Sequence, residues 1–207
     1  PIFFPDITYS FYDVWADLFE IPYETIKLDD NFEIIPEDYF RENGGIVFPN
    51  PNAPTAVEMS IDKVEEIIKN NQDSVVIVDE AYVDFGATSA LKFIEKYDNV
   101  LVVRTFSKSR SAAGLRIGYA MGNEKLISAM LAVKFSYNSY TMNFPTIYAG
   151  VEAIKDDAYF KNLVEKIIAT REKAKVKLKE LGFTCTDSKT NFLFATHKSA
   201  KAEDIFN

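Results

Sequence analysis

A single lysine, Lys108, lies in the segment whose residue types most clearly suggest chemistry. The segment reads Arg104-Thr105-Phe106-Ser107-Lys108-Ser109-Arg110-Ser111-Ala112-Ala113-Gly114-Leu115-Arg116, so that hydroxyl groups and small residues surround the lysine and Arg116 follows it eight positions later. Small residues allow a bulky ligand to approach the backbone. Hydroxyls, backbone N–H groups and arginine are the groups that bind a phosphate.

Two interpretations of this segment remain open at this point. A lysine in such a setting can form a Schiff base with an aldehyde. The segment would then bind a ligand that carries both an aldehyde and a phosphate, and pyridoxal phosphate is such a molecule. The other interpretation is a polar loop with an ordinary solvated lysine, and the segment alone does not separate the two.

The composition of the chain excludes several classes of protein and site. The 207 residues carry a formal net charge of -8, which argues against nucleic acid or an anionic membrane as the main partner. One cysteine and one histidine cannot build a zinc site of the usual kind, and the single Cys185 cannot form an intrachain disulfide. We therefore expect no metal, and a reducing, cytoplasmic location. No apolar stretch reaches the ~18 residues of a transmembrane helix.

Short apolar runs alternate with helical stretches along most of the chain. The runs predicted as strands are residues 22–27, 45–48, 74–78, 99–104 and 116–121. Ser60 is the expected cap of a helix that ends near Asn70, and Asn123 begins another helix. Strands of this composition suit a sheet that is buried on both faces, so the pattern predicts an α/β sandwich with a mostly parallel sheet.

The pattern changes near residue 157. A long helix is predicted from there to Leu181, with Gly182 as its stop, followed by a β-like pair at 183–186 and 191–195 and a helical start near Lys201. We predict a large domain over residues 1–156 and the beginning of a smaller one over 157–207. The chain opens on an apolar run without an initiator methionine, so we expect both domains to be incomplete.

The apolar run that opens the chain, residues 1–4, is read as a strand cut at its start, and polar turns follow this run and three of the strands above. They are residues 5–9, 49–55 and 79–82 and the segment around Lys108. Ligands of α/β sheets collect at the carboxyl ends of the strands. Four such turns at one sheet edge predict a ligand site there.

The motifs in these turns resemble those of the fold-type I pyridoxal-phosphate aminotransferases, and most closely those of the histidinol-phosphate aminotransferases. The matching residues are Thr8-Tyr9-Ser10-Phe11-Tyr12, the turn at 50–55, Asp79-Glu80-Ala81-Tyr82, Thr105-Phe106-Ser107-Lys108 and Gly114-Leu115-Arg116-Ile117-Gly118-Tyr119. The resemblance implies an aspartate-aminotransferase-like large domain, pyridoxal 5'-phosphate as the cofactor, and a homodimer.

The resemblance also implies a role for each matching residue. Lys108 would hold the cofactor as a Schiff base and then move a proton between substrate and cofactor. Asp79 would pair with the pyridine nitrogen and keep it protonated, and it should itself stay ionised beside that cation. Tyr82 would donate a hydrogen bond to the phenolic oxygen of the cofactor.

The remaining roles concern the cofactor's phosphate and its ring. Arg116 would contact the phosphate with both of its terminal nitrogens, with Thr105 and Ser107 adding hydroxyl donors. Tyr9 would stack on the pyridine face.

The turn at 50–55 departs from the pattern of the superfamily. Ala53 stands where an asparagine amide usually contacts the phenolic oxygen, and Ala56 stands where glycine is usual. Either Asn52 supplies the amide, or the contact is absent and Tyr82 acts alone. Asn50 and Asn52 could also serve only to shape the turn.

The implied reaction is amino-group exchange between histidinol phosphate and 2-oxoglutarate in histidine biosynthesis, although this chain is expected to be inactive alone. Alternatives with the same cofactor are an aromatic amino acid aminotransferase and a threonine-phosphate decarboxylase. A non-catalytic fragment acting as a folded interaction domain is a further alternative. A nucleotide-binding domain is disfavoured, because the sequence contains neither Gly-x-Gly-x-x-Gly nor a P-loop around Lys108.

Overall fold

A six-stranded sheet forms the centre of the protein in a computed structural model that describes residues 1–206. Its strands are β1 (Ile2–Pro5), β2 (Tyr23–Ile26), β3 (Gly45–Pro49), β4 (Val76–Asp79), β5 (Val100–Thr105) and β6 (Gly118–Gly122). They lie in the order β2-β1-β3-β4-β5-β6. The first five are parallel, and only β6 runs antiparallel to its neighbour β5. The predicted α/β class with a mostly parallel sheet is confirmed.

Helices connect the strands and continue the chain after the sheet. They are α1 (Tyr12–Leu18), α2 (Ile61–Asn70), α3 (Glu124–Tyr137), α4 (Phe144–Lys155), α5 (Asp157–Glu180) and α6 (Ala202–Phe206). Ser60 caps α2 as predicted, since its side chain accepts a hydrogen bond from the backbone N–H of Lys63. The sequence analysis did not predict α1 or α4. None of these helices is both long and apolar enough to cross a membrane within residues 1–206.

The hydrophobic core lies between the central strands and α2. Val76, Val78, Val100 and Val102 of β4 and β5 are fully buried. The buried face of α2 packs on this side through Val64, Ile67 and Ile68. Burial of a branched side chain contributes about 1.5–3 kcal/mol, so this layer fixes the positions of the strands and of the turns that follow them.

A two-stranded antiparallel sheet follows α5 and consists of β7 (Phe183–Cys185) and β8 (Ala195–His197). Gly182 ends α5 in a left-handed conformation (φ +91°), as its position predicted. The second strand was predicted too early. Ser188 and Thr190 are buried and bond to the carbonyl of Phe192, so residues 188–192 form a turn. The division of the chain at residue 156 stays a prediction.

Hydrogen bonds connect this last part of the chain to the loops of the large sheet. The hydroxyl of Thr186 donates to the carbonyl of Thr55 at 2.7 Å, and the N–H of Lys189 donates to the carbonyl of Ala56 at 3.0 Å. Arg171 of α5 is buried and its Nη1 donates to the carbonyls of Phe85 (2.9 Å) and Thr190 (2.7 Å). The two sheets are therefore connected on the same side as the turns at 50–55 and 79–85.

One buried hydroxyl in this core is unsatisfied and can be removed. The Oη of Tyr39 has no hydrogen-bond partner among residues 1–206, and the side chain is 1 % exposed. A buried hydroxyl without a partner costs about 1–3 kcal/mol. We expect Tyr39→Phe to raise the free energy of unfolding by about 1 kcal/mol, as measured by urea denaturation. A loss of stability would contradict this assignment.

Candidate functional site

A cavity of about 450 Å³ lies at the carboxyl edge of the central strands. Pro49, Asp79 and Thr105, the last residues of β3, β4 and β5, all line it. The structure brings seven of the eight predicted site residues to this cavity: Tyr9, Asp79, Tyr82, Thr105, Ser107, Lys108 and Arg116. Their chemical roles remain predictions.

Asp79 is held by two donors at the end of β4. The hydroxyl of Tyr12 donates to its Oδ2 at 2.9 Å, and the N–H of Ala81 donates to its Oδ1 at 3.0 Å. Burial raises the pKa of the Asp79 carboxyl, and this effect outweighs the lowering by the Tyr12 and Ala81 hydrogen bonds and by the charge of Lys108. An ionised Asp79 is thus costly in this position unless a cation lies against it.

The segment around Lys108 is fixed by the neighbours of the lysine. Ser109 donates from its hydroxyl to the Asp84 carboxylate at 2.5 Å. The guanidinium of Arg110 lies 3.6 Å from the centre of the Phe160 ring and donates to the carbonyl of Ala153 at 2.8 Å. These contacts fix the backbone on the C-terminal side of the lysine.

The amine of Lys108 lies over the ring of Tyr82. Its Nζ is 5.1 Å from the centre of the Tyr82 ring and forms no hydrogen bond or ion pair within residues 1–206. The lysine is half-buried and borders the same cavity as Asp79. An amine that borders a cavity and forms no hydrogen bond or ion pair there keeps its donors for a ligand.

The predicted phosphate-binding groups lie together on one side of the cavity. Thr105 donates from its hydroxyl to that of Ser107 at 2.9 Å and accepts from the Ser107 N–H at 3.0 Å. Arg116 is exposed, has a left-handed backbone (φ 55°), and donates to the carbonyl of Ala113 at 3.1 Å. The two hydroxyls are thus bonded to each other, as in a local turn, while the guanidinium of Arg116 keeps donors for an anion.

Tyr9 contributes an aromatic face that is partly open. It is 44 % exposed and lines the cavity. Its ring lies edge-on to Tyr12 (5.6 Å between centres) and Trp15 (6.2 Å), both on α1. The helix that the sequence did not predict therefore supports the ring that the sequence singled out.

Asn52 lies outside the cavity and its amide is already used. Its Nδ2 donates to the carbonyl of Ile7 (2.8 Å) and to the hydroxyl of Thr55 (2.9 Å), and its Oδ1 accepts from Thr8 (2.9 Å). Both N–H groups are therefore engaged within the protein, and Asn52 has no donor left for a phenolic oxygen. Ala53 lines the cavity in its place. These bonds are those of a side chain that shapes the turn, and a role of Tyr82 toward a phenolic oxygen stays a prediction.

Two further residues near the cavity were missed, Tyr12 and Glu80. Glu80 points away from Asp79, as consecutive strand residues do, and pairs with Arg104, whose Nε and Nη2 donate to Oε2 at 2.9 and 2.8 Å. Ser89 and the N–H of Ala90 also donate to Glu80. An acidic residue directly after Asp79 at a buried strand end was the available signal for this pair.

The donor set around the cavity fits pyridoxal phosphate. The cofactor needs an amine for its aldehyde, a carboxylate for its ring nitrogen, a guanidinium for its phosphate and an apolar face for its ring. Lys108, Asp79, Arg116 and Tyr9 supply these groups around one cavity. The buried carboxylate is the most specific of these groups for such a ligand, because burial raises the pKa of Asp79 and a cationic ring nitrogen beside it would lower that pKa again.

Comparisons with known proteins point in the same direction. The profile of the family "aminotransferase class I and II" matches residues 1–207. A histidinol-phosphate aminotransferase of Brachyspira hyodysenteriae is 55% identical over 206 residues, which are 99% of this chain and 58% of the relative. The chain thus spans little more than half the length of that relative.

Solved structures share the fold at lower identity. A histidinol-phosphate aminotransferase from Clostridium acetobutylicum superposes with a TM-score of 0.90 at 23% identity, over 99% of this chain and 64% of that one. One from Sinorhizobium meliloti, solved in complex with pyridoxal-5'-phosphate, has a TM-score of 0.85 at 22% identity, over 94% of this chain and 54% of that one. The likeness extends over both the sheet and α5.

The raised pKa of Asp79 leads to a prediction for the cofactor-free chain. As pH rises above the ordinary pKa of aspartate, the unfolded chain ionises first, so stability falls until the folded pKa is passed. We expect Asp79→Asn to raise the free energy of unfolding at neutral pH and to change it little near pH 3. Denaturant titrations at the two pH values check this, and equal effects at both would contradict it.

The pair of Glu80 and Arg104 leads to a prediction of the opposite sign. The Glu80 side chain is 1% exposed and that of Arg104 19%, so removing one partner leaves the other charge buried and unpaired. We expect Glu80→Ala to lower the free energy of unfolding by roughly 3 kcal/mol. Glu152→Ala, which breaks the exposed pair with Lys155, serves as the control and should change it little. Equal effects of the two variants would be evidence against a structural role for Glu80.

Proposed function

The chain belongs to the aminotransferase class I and II family, and from this premise we propose that it binds pyridoxal phosphate and provides most of the catalytic groups of a transaminase. The observation that carries the proposal is the cavity shared by Asp79, Lys108 and Arg116. An amine, a carboxylate and a guanidinium around one cavity are what an aldehyde, a ring nitrogen and a phosphate on one molecule require.

Each residue has a distinct task in this proposal. When bound, pyridoxal phosphate supplies an electron-accepting ring that stabilises negative charge at the substrate α-carbon. Lys108 would hold the aldehyde group of the cofactor through Nζ, and its amine would carry the proton to and from the α-carbon of the substrate. Asp79 accepts a hydrogen bond from the protonated ring nitrogen. Tyr82 donates to the phenolic oxygen, and its ring is held edge-on against Phe192 at 5.2 Å.

The remaining side chains orient the ring and exclude water from one face. Arg116 binds the phosphate, with Ser107 and Thr105 beside it, and Tyr9 covers the face of the ring. The Tyr9 ring packs on side chains of α1, so a helix sets the position of the Tyr9 ring against the ring of the cofactor.

We propose histidinol phosphate as the amino donor and 2-oxoglutarate as the acceptor. The support is the 55% identity to a relative named histidinol-phosphate aminotransferase. The residue that binds the substrate carboxylate lies, in this proposal, in the part of the relatives outside the matched region, so this chain alone is inactive in turnover.

We also propose that the active protein is a homodimer. Large apolar side chains are exposed on α3, α4 and the turn between them, namely Val133, Phe135, Tyr137, Tyr140, Phe144 and Tyr148. Exposed apolar surface of this extent is typical of a face covered by another chain, and a second copy would cover it here.

Cofactor binding tests the proposal directly on the 207-residue chain. Added pyridoxal phosphate should produce a visible absorption band, and borohydride should then fix its mass on the peptide that contains Lys108. In Lys108→Ala we expect both signals to be lost while weak binding through Arg116 persists, because the phosphate contacts are intact. Lys161→Ala, which removes an exposed lysine of α5, is the matched control and should behave as the wild type.

The outcomes separate the function from its substrate. If the wild-type chain gives neither a band nor a mass gain on Lys108, the proposed cofactor is wrong. The substrate is tested in an enzyme of the relatives' full length by following glutamate formed from 2-oxoglutarate with histidinol phosphate or tyrosine as donor. Faster turnover of tyrosine would overturn the assignment of histidinol phosphate but not that of the cofactor.

A further inference from the structure

We propose that Tyr12 is a positioning residue that holds Asp79 ready for the pyridine nitrogen of the cofactor. The inference rests on the proposed function, because it assigns to Tyr12 the task of supporting the carboxylate that binds the ring nitrogen. Tyr12 does not line the cavity, and its effect on a ligand would be transmitted through Asp79.

The geometry between the two residues is that of a direct support. Tyr12 is 4% exposed, and its hydroxyl donates to Oδ2 of Asp79 at 2.9 Å. The N–H of Ala81 binds the other oxygen at 3.0 Å, so the two donors fix the plane of the carboxylate. An ionised carboxylate has about four lone-pair sites, so acceptor capacity remains for a ring N–H.

The electrostatics of the pair explain why the carboxylate needs this support. Burial raises the pKa of Asp79, whereas the Tyr12 hydrogen bond lowers it. Burial raises the pKa of Tyr12 well above its ordinary value, and the charge of Asp79 raises it further, so the hydroxyl stays protonated and keeps donating. Tyr12 therefore offsets part of the desolvation cost of the charged form of Asp79.

Other charged and titratable groups near the pair have separate tasks. Lys108 is the charged side chain that faces Asp79, and its charge also lowers the pKa of Asp79. Tyr9 faces Tyr12 edge-on, while Tyr82, Arg104 and Arg116 border the cavity without bonding to Asp79. Among residues 1–206, Tyr12 is the side chain that hydrogen-bonds to this carboxylate.

A purely structural role for Tyr12 is the alternative to be excluded. Its ring packs edge-on against Phe4 (5.9 Å between centres) and Tyr9 (5.6 Å), so removal of the whole side chain would disturb the core. Tyr12→Phe keeps the ring and removes only the hydroxyl. Tyr39→Phe is the matched control, because it removes an equally buried hydroxyl that has no partner among residues 1–206.

The test is a double-mutant cycle on affinity for pyridoxal phosphate, measured by equilibrium titration of the 207-residue chain. We expect Tyr12→Phe to weaken binding about tenfold when Asp79 is present, and less than about twofold in an Asp79→Asn background. The affinity is also measured as a function of pH, and the acid limb is the part of this profile in which affinity falls as the pH is lowered. The acid limb should move to higher pH in Tyr12→Phe, because Asp79 loses a contact that keeps it ionised. Tyr39→Phe should leave both the affinity and the acid limb unchanged.

Three results would overturn the inference. They are equal losses of affinity in the two Asp79 backgrounds, an unchanged affinity in Tyr12→Phe, and an acid limb that does not move.

If Tyr12→Phe fails to fold, 3,5-difluorotyrosine at position 12 replaces it. Its more acidic hydroxyl donates more strongly and should move the acid limb to lower pH, and a shift to higher pH or no shift would contradict the role. A wild-type chain that does not bind the cofactor defeats the proposed function itself, and that outcome is distinct because it appears before any variant is compared.

Discussion

The parallel register of the three central strands is the constraint on which the candidate site depends. Pro49 of β3 lies beside Asp79 of β4, and Asp79 lies beside Val103 of β5. Because these strands are parallel, their carboxyl ends lie at one edge of the sheet, and the polar residues that follow them gather there. A shift of β4 by one residue would exchange Asp79 and Glu80 between the two sides of the sheet, and the cavity would lose its carboxylate.

Asp79 and Glu80 are adjacent carboxylates with different roles, one in the cavity and the other in the stability of the fold. Glu80 is satisfied within the protein by Arg104, Ser89 and a backbone N–H, and it contributes to the stability of the fold. Asp79 is only partly satisfied, and its pKa is raised by burial. A carboxylate kept in this condition weakens the cofactor-free protein and binds a cationic partner more strongly, which is the usual relation between stability and function at a site.

The sequence predicted the sheet and most of the cavity because both depend on local patterns. Buried strands read as apolar runs, and the residues after them read as polar turns. It missed α1 because this helix has only seven residues and its N-cap, Phe11, makes no side-chain capping hydrogen bond, so neither its length nor its start gives a sequence signal. It left the task of Asn52 open because only the structure shows that both N–H groups of its amide are used within the protein. The hydrogen bond between Tyr12 and Asp79 joins residues that are 67 positions apart, and local sequence patterns do not predict contacts over that separation.

Arg171 makes the loop that carries Tyr82 dependent on the long helix α5. Its guanidinium bonds to the carbonyl of Phe85, three residues after Tyr82, and to that of Thr190, two residues before Phe192. Tyr82 and Phe192 are themselves in edge-on contact at 5.2 Å. These contacts connect the helix, the turn after β4 and the turn before β8. A rotation of α5 about its axis would therefore displace the turn after β4 and with it the hydroxyl of Tyr82.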